Sequence, residues 1–285
     1  MINILVTGGK GQLATCIKDI AKDLDGYNFI YVDLDELDIT NSAEVDTFFD
    51  TESISHCVNC AAYTAVDRAE SEGELAEMVN KVGAQNLAKA CKNNGAELIQ
   101  ISTDFVFDGK KSQPYLEDDV AKPLSVYGLT KLNGEYAVLN TLPTAFVLRT
   151  SWLYSEHGQN FFKTMLRLGK ERDNLNIVYD QIGTPTYAGD LAKVIVKIIT
   201  ENIVNYGVYH YSNEGVASWY DFAKAIFDES GAKLKLMPIR SEAYPTPAKR
   251  PAYSVMDKSK IKEALLLEIP YWRDSLKQCL TKIRY

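Results

Sequence analysis

The sequence predicts an α/β fold, a doubly wound parallel sheet with a smaller C-terminal lobe. Short apolar runs alternate with stretches of helical periodicity through the first half, the pattern of a parallel sheet covered on both faces. The first run ends in a glycine turn that opens a helix. After Trp152 the alternation loosens, which marks the lobe. A length of 285 residues fits one such unit plus an appendage, or about two domains at ~150 residues each.

Ile2-Asn3-Ile4-Leu5-Val6 reads as a buried strand that stops at Thr7-Gly8-Gly9. Leu13, Ile17, Ile20 and Leu24 then share one helix face, and Gly26 stops the helix. Residues 29–32 form a second strand, ending at Asp33. Residues 57–62 are a compact strand. Ala84, Leu87, Ala88 and Cys91 mark a helix closed by Asn94-Gly95. Residues 98–102 are the next strand, and 108–125, rich in Asp, Pro, Lys and Gly, read as a loop. A helix runs from Tyr127 to about Leu139, followed by a strand over 145–149. Later helices are expected over 160–169, 190–200 and 219–229, with a short strand at 209–211. Pro238, Pro245, Pro247 and Pro251 make 237–251 an irregular loop. The expected division is 1–150 for the sheet unit and 151–285 for the lobe, with roughly 175–210 free to return to the first sheet.

Apolar residues make up 46% and charged residues 24%, which excludes disorder and collagen. Lys and Arg number 31 against 38 Asp and Glu, a net charge of −7. That balance argues against nucleic acid or an anionic membrane as partner. It permits an anionic small molecule in a locally positive pocket. His56, His157 and His210 are the only histidines, so no metal site is expected. Cys16, Cys57, Cys60, Cys91 and Cys279 are odd in number, which reads as free thiols in a reducing compartment. Cys57 and Cys60 fall in an apparent strand, where i and i+3 face opposite sides, and read as core thiols. Residues 1–9 lack a basic lead-in, and no run of about 18 apolar residues occurs. A cytoplasmic chain without a signal peptide or membrane span is therefore expected.

Thr7-Gly8-Gly9-Lys10-Gly11-Gln12-Leu13-Ala14 parses as Gly9-x-Gly11-x-x-Ala14 or as Gly8-x-x-Gly11-x-x-Ala14. Either parse puts small residues where backbone must approach a pyrophosphate, at a helix N-terminus with free N–H groups. This is the dinucleotide fingerprint of a Rossmann-like unit, in its proper strand-turn-helix context. Asp33 lies about 20 residues on, where a carboxylate holds ribose hydroxyls. Its charge repels a 2′-phosphate, and Leu34-Asp35-Glu36-Leu37-Asp38 supplies no cation in return. NADH is therefore slightly favoured over NADPH.

Tyr127 and Lys131 stand at i and i+4 on one helix face. A fixed cation there is expected to lower the phenol pKa, and the tyrosine could protonate a carbonyl oxygen that receives hydride. The bland reading is a surface pair, with Lys131 bridging Glu135. Ser102-Thr103-Asp104 follows a strand end, where ligands gather in parallel sheets, and Thr103 is the hydroxyl candidate. Arg250 could grip a diphosphate bidentately or be a solvated loop arginine.

With these pieces in place, the chain resembles the extended short-chain dehydrogenase/reductase superfamily, and within it the dTDP-4-dehydrorhamnose reductase family. The carrying segments are 8–14, Leu37-Asp38-Ile39-Thr40, 58–67, 102–109, 127–135, Arg149-Thr150-Ser151-Trp152, 180–186 and 245–251. The resemblance implies reduction of the C4 ketone of dTDP-6-deoxy-L-lyxo-4-hexulose to dTDP-L-rhamnose, with either NADH or NADPH. It implies catalysis by Tyr127, Lys131 and Thr103. Gly8, Gly11, Gln12 and Leu13 would meet the pyrophosphate and Asp33 the ribose. Asp38 and Ile39 would border the adenine, and Ala62, Tyr63 and Thr64 the nicotinamide. Thr103, Asp104, Trp152 and Arg250 would contact substrate. Some family members dimerise through magnesium held by a glutamate early in the first helix. The equivalent position here is Cys16, which makes magnesium doubtful and leaves monomer or homodimer open. Two other functions stay open: a nucleotide-sugar epimerase or dehydratase, and a non-catalytic partner resembling the regulatory subunit of methionine adenosyltransferase. In the reductase reading, the −7 charge must lie away from a cleft where Lys131, Arg250 and a helix N-terminus meet two anionic ligands.

Overall fold

The computed structural model describes residues 1–283. In chain order the first half runs β1 (Ile2–Thr7), α1 (Gln12–Ala21), β2 (Tyr27–Val32), α2 (Ser42–Glu52) and β3 (Ile54–Asn59). Then come α3 (Val66–Ala69), α4 (Gly73–Glu77), one π-helical turn (Met78–Gly83), α5 (Ala84–Asn94), β4 (Glu97–Thr103), α6 (Val126–Thr141) and β5 (Ala145–Thr150). The second half adds β6 (Leu153–Tyr154), α7 (Phe161–Glu171), β7 (Asn174–Val178), β8 (Ile182–Gly183), β9 (Thr186–Tyr187), α8 (Ala188–Thr200) and β10 (Gly207–His210). It ends with β11 (Ala217–Ser218), α9 (Trp219–Ser230), β12 (Lys235–Ile239), α10 (Ser259–Leu265) and α11 (Trp272–Lys282).

Six strands form one parallel sheet in the order β10-β5-β4-β3-β1-β2. Alternation decides which face each residue covers. Ile4 and Val6 of β1 join Leu13 and Ile17 of α1 and Leu191 and Ile195 of α8 on one face. Leu5 points the other way, into Phe49 of α2 and Leu87 of α5. Both faces being covered, β1 must be apolar without a break, as its sequence is. The chain leaves β1 toward β2 and then crosses back to β3. The carboxyl ends of β1 and β3 therefore flank the switch point at which such sheets bind ligands.

The lobe packs a separate aromatic core of Tyr154, Phe162, Tyr187, Phe222 and Trp272. Ser218 and Asp221 form a reciprocal capping box at the start of α9. α8 and β10, late in the chain, belong to the main sheet unit.

Several local readings are corrected. α1 ends at Ala21, and Leu24 lies in a turn whose N–H bonds the Ala21 carbonyl. Cys60 lies just beyond β3. Residues 237–251 are not wholly irregular, because β12 pairs in parallel with β7 through Ile239. Pro238 is tolerated because each strand of this two-stranded ribbon keeps one free edge.

Candidate active site

A cleft of about 1010 Å³ opens over the carboxyl ends of the sheet strands. All sixteen residues singled out by sequence line it: Gly8, Gly11, Gln12, Leu13, Asp33, Asp38, Ile39, Ala62, Tyr63, Thr64, Thr103, Asp104, Tyr127, Lys131, Trp152 and Arg250.

The glycine loop forms one end. Gly8 has φ +63°, and a Cβ there would stand 2.8 Å from the Ala61 backbone nitrogen. Gly11 caps α1 without a side-chain partner, so the first N–H groups of the helix stay open to an anion. This backbone cradle fits a dinucleotide pyrophosphate. Gln12 and Leu13 offer it only backbone, since both side chains are committed elsewhere. Gln12 Nε2 donates to the Leu153 carbonyl at 3.2 Å, and its Oε1 accepts from Asn160 at 3.2 Å. The Leu13 side chain is buried in the core.

Asp33 accepts the Lys10 N–H at 2.9 Å and the Leu34 N–H at 2.9 Å. The Lys10 ammonium pairs with Asp35 at 2.6 Å. The cation missing from residues 34–38 thus arrives from the glycine loop itself. Asp38 is turned inward to Thr40, accepting from its N–H at 2.9 Å and its hydroxyl at 2.8 Å. Ile39 packs against Gly83, where a Cβ would lie 2.6 Å from its side chain. Tyr63 is fixed by Asn80, which accepts from its N–H at 2.9 Å and donates to its carbonyl at 3.2 Å. Asn80 also donates to Thr130 Oγ1 at 3.0 Å, tying this wall to α6. It sits in the π-helical turn, an irregularity that recurs at functional sites.

α6 starts at Ser125, whose hydroxyl accepts the Gly128 N–H at 3.2 Å. Gly128 and Gly134 allow close packing: a Cβ at Gly128 would lie 2.3 Å from the Phe105 carbonyl oxygen. Tyr127 packs edge-on against Phe105 at 5.6 Å. Burial pushes its phenol up to about 12; a hydrogen bond with Thr103 opposes the rise and the Asp104 charge adds to it. The expected lowering by Lys131 is absent. That ammonium is buried and donates to the Ile101 carbonyl at 2.7 Å. Burial holds it down to about 8, against the pull of Glu135 and Cys60. Nor does Lys131 bridge Glu135, whose carboxylate takes Arg149 and Ser102. Thr103 ends β4 and accepts the Phe105 N–H at 3.2 Å. Asp104 is buried, which pushes its carboxyl up to about 6, and its Oδ2 lacks a partner among the described residues.

Trp152 adopts φ +47°, a sparsely populated conformation for a bulky residue. Its ring stacks on Trp219 with centroids 3.7 Å apart, 8° from parallel. Gly183 leaves room for it, since a Cβ there would meet the indole at 2.7 Å. Arg250 gives Nη1 and Nη2 to the two carboxylate oxygens of Asp67, at 3.1 and 2.9 Å, and still borders the cleft. Lys10, Asn80 and Trp219 were missed by sequence reading. Lys10 lay in plain view within the glycine motif; the other two carry no local signal.

The RmlD substrate binding domain family model matches residues 2–285. The dTDP-4-dehydrorhamnose reductase of Aggregatibacter actinomycetemcomitans is 45% identical, over 97% of this chain and 98% of its own. A crystal structure of such a reductase from Clostridium acetobutylicum superposes with TM-score 0.94 at 44% identity, covering 98% of this chain and 99% of that one. The Bacillus anthracis enzyme, solved in complex with NADP, superposes with TM-score 0.95 at 38% identity, covering 99% of this chain and 100% of its own. Family match, full-length coverage and a cleft shaped for a dinucleotide agree: this chain belongs to the dTDP-4-dehydrorhamnose reductase family.

Proposed function

We propose that this chain reduces the C4 ketone of dTDP-6-deoxy-L-lyxo-4-hexulose to dTDP-L-rhamnose, with Tyr127 as proton donor. The observation that carries this reading is the convergence of Thr103, Tyr127 and Lys131 in one cleft with the glycine loop. When bound there, the reduced nicotinamide supplies the hydride. Gly8, Gly11 and the N–H groups opening α1 would hold its pyrophosphate, with Asp33 on the ribose. Asp38 and Ile39 would flank the adenine, and Ala62, Tyr63 and Thr64 the nicotinamide.

Tyr127 keeps its proton at neutral pH because burial raises its phenol. It gives that proton to the C4 oxygen as the carbonyl π-pair moves onto oxygen. Thr103 hydrogen-bonds Tyr127 and aligns it. Solvent then returns a proton to the phenolate, and the Lys131 ammonium, on the same helix face, would hold the nicotinamide ribose. Asp104, Trp152 and Arg250 would orient the sugar nucleotide. Asp33 favours NADH slightly, while Lys10 leaves NADPH acceptable. Residues 1–150, joined by the returning α8 and β10, would form the coenzyme unit, and the rest of 151–285 mainly the substrate lobe. No described helix is long and apolar enough to cross a membrane, and we assign the chain to the cytoplasm, as monomer or homodimer.

The test is coenzyme oxidation with the dTDP-4-keto sugar. Tyr127→Phe should lower turnover about 10²–10⁴-fold while coenzyme binding is kept. Wild-type protein without turnover refutes the reductase reading. Full activity in Tyr127→Phe removes that residue as the acid.

A further inference from the structure

The geometry points to a second ligand site, for a zinc-type divalent metal, between α1 and the loop after β6. Cys16 lies on α1 with its thiol buried. Glu156 and His157 lie in the loop that follows β6. One donor atom from each lies within 4.8 Å of the other two. Asp19 stands at i+3 from Cys16, on the same face of α1. Its Oδ2 is 2.7 Å from His157 Nε2. A thiol, an imidazole and the Glu156 carboxylate thus converge from two separate segments, with the Asp19 carboxylate hydrogen-bonded to the imidazole.

Donors around a tetrahedral zinc ion, with bonds of about 2.0–2.3 Å, lie about 3.3–3.8 Å apart. His157 Nε2 is already 3.9 Å from Glu156 Oε1. The three donors, within 4.8 Å of one another, would close on a metal as His157 Nε2 exchanges its Asp19 hydrogen bond for it, with water as the fourth ligand. Donor chemistry selects the ion. Magnesium is hard and takes oxygen ligands, so the buried Cys16 thiol does not fit it. Thiolate and imidazole together suit zinc.

A cation already serves Glu156, since the Lys282 ammonium is 3.1 Å from its Oε1. Lys282 is 44% exposed at its side chain and occupies the last turn of α11, so it can swing into solvent as the metal takes its place. Binding replaces the Cys16 S–H bond by a metal–sulfur bond, and the proton leaves to solvent. Cys279 flanks the site, its thiol 3.6 Å from Glu156 Oε2.

The site adjoins the coenzyme cleft. Gly158, Gln159 and Asn160 line that cleft, and Ser155 and Asn160 both bond Gln12 Oε1. A metal held by α1 and by this loop would fasten the cleft wall to the helix whose N-terminus faces the pyrophosphate.

The experiment titrates chelator-treated protein with Co²⁺ alone, without coenzyme or substrate. One equivalent is expected to bind, with a sulfur-to-cobalt charge-transfer band and the visible spectrum of four-coordinate cobalt, both displaced by zinc. Cys16→Ala should lose the band. His157→Ala, at a surface loop and benign for folding, should weaken binding by more than the roughly 10–100-fold that losing an outer-shell partner costs. Lys282→Met should bind more tightly, and Cys91→Ala should behave as wild type. No sulfur-to-cobalt band in the wild type overturns the proposal. So does a band that survives in Cys16→Ala, or unchanged affinity in His157→Ala.

Discussion

Truncating Glu135 should destabilise the fold by an amount the structure lets one work out. The Glu135 and Arg149 side chains are 3% and 6% exposed. Arg149 Nη2 donates to Oε2 at 2.7 Å and Nε to Oε1 at 2.9 Å. Glu135→Ala leaves the guanidinium buried with no anion, only the Glu117 carbonyl at 3.3 Å, His210 and the face of the Phe107 ring beside it. His210 stays neutral beside it, since burial and then Arg149 hold it down to about 3, and a neutral imidazole brings no negative charge to replace the carboxylate. Stranding a buried charge costs about 3–5 kcal/mol. Unfolding entropy near 2.1 cal/mol/K per residue gives roughly 600 cal/mol/K for a chain of this length, so Tm should fall by about 5–8 °C. Removing both charges, in Glu135→Leu with Arg149→Met, should recover most of that, since packed apolar groups replace such pairs at little cost. Thermal melts followed by near-ultraviolet circular dichroism decide the matter. A single variant melting within about 1 °C of the parent refutes the reasoning. So does a double variant that melts below the single one.

Three further outcomes follow from the same cleft. Lys131 is charged below about 8 and neutral above it, so turnover should fall as pH rises through that value. In Lys131→Arg the falling limb should move to higher pH; a wild-type rate that stays flat well above that range would show its charge is not needed. Lys10→Ala should lower kcat/KM for NADPH relative to NADH, and Asp35→Asn should raise it, because the two side chains compete for one charge; equal changes with both coenzymes would remove Lys10 from selectivity. Trp219→Ala deletes a ring stack worth about 0.5–1.5 kcal/mol beyond its burial, and should raise KM for the nucleotide sugar about 2–12-fold with kcat changed less. An unaltered KM would mean the indole pair does not face substrate.

The parts of the fold that read clearly from sequence are those fixed by short-range pattern. β1 is apolar throughout because helices cover both faces, and the helix after its glycine turn has its apolar residues on one side. α2 escaped notice although Asn41 caps it, accepting the Ala43 N–H at 3.2 Å and donating to Glu44 at 2.7 Å. Its buried face is only Val45 and Phe49, too sparse for a periodic signal. The ribbon of β7 and β12 pairs residues some 60 positions apart, and no local rule reports such pairing. The site divides likewise. The glycine loop and the Tyr-x-x-x-Lys spacing are local motifs. Asn80 reaches Tyr63 and Thr130 only through a π-helical turn, and Trp219 reaches Trp152 only through the lobe's packing. The shift at Tyr127 was read with the wrong sign because spacing reveals a neighbouring cation but not the burial that outweighs it.

Charge in the cleft carries the same lesson to ligand recognition. The expectation was a positive cleft within an acidic chain. The lining instead holds Lys10, Lys131 and Arg250 against Asp33, Asp38 and Asp104, an even balance. Two of those cations are spoken for, Lys10 by Asp35 and Arg250 by Asp67. The third is buried and bonded to a backbone carbonyl. In the proposed reading, attraction for the coenzyme pyrophosphate would then come mainly from oriented N–H groups at the uncapped start of α1. Such groups act only at contact distance, whereas free surface cations steer from afar and are screened by salt. Coenzyme affinity in this chain should accordingly depend weakly on ionic strength, and Gly8→Ala, which sets a methyl against the Ala61 backbone at φ +63°, should damage it more than loss of any one lysine.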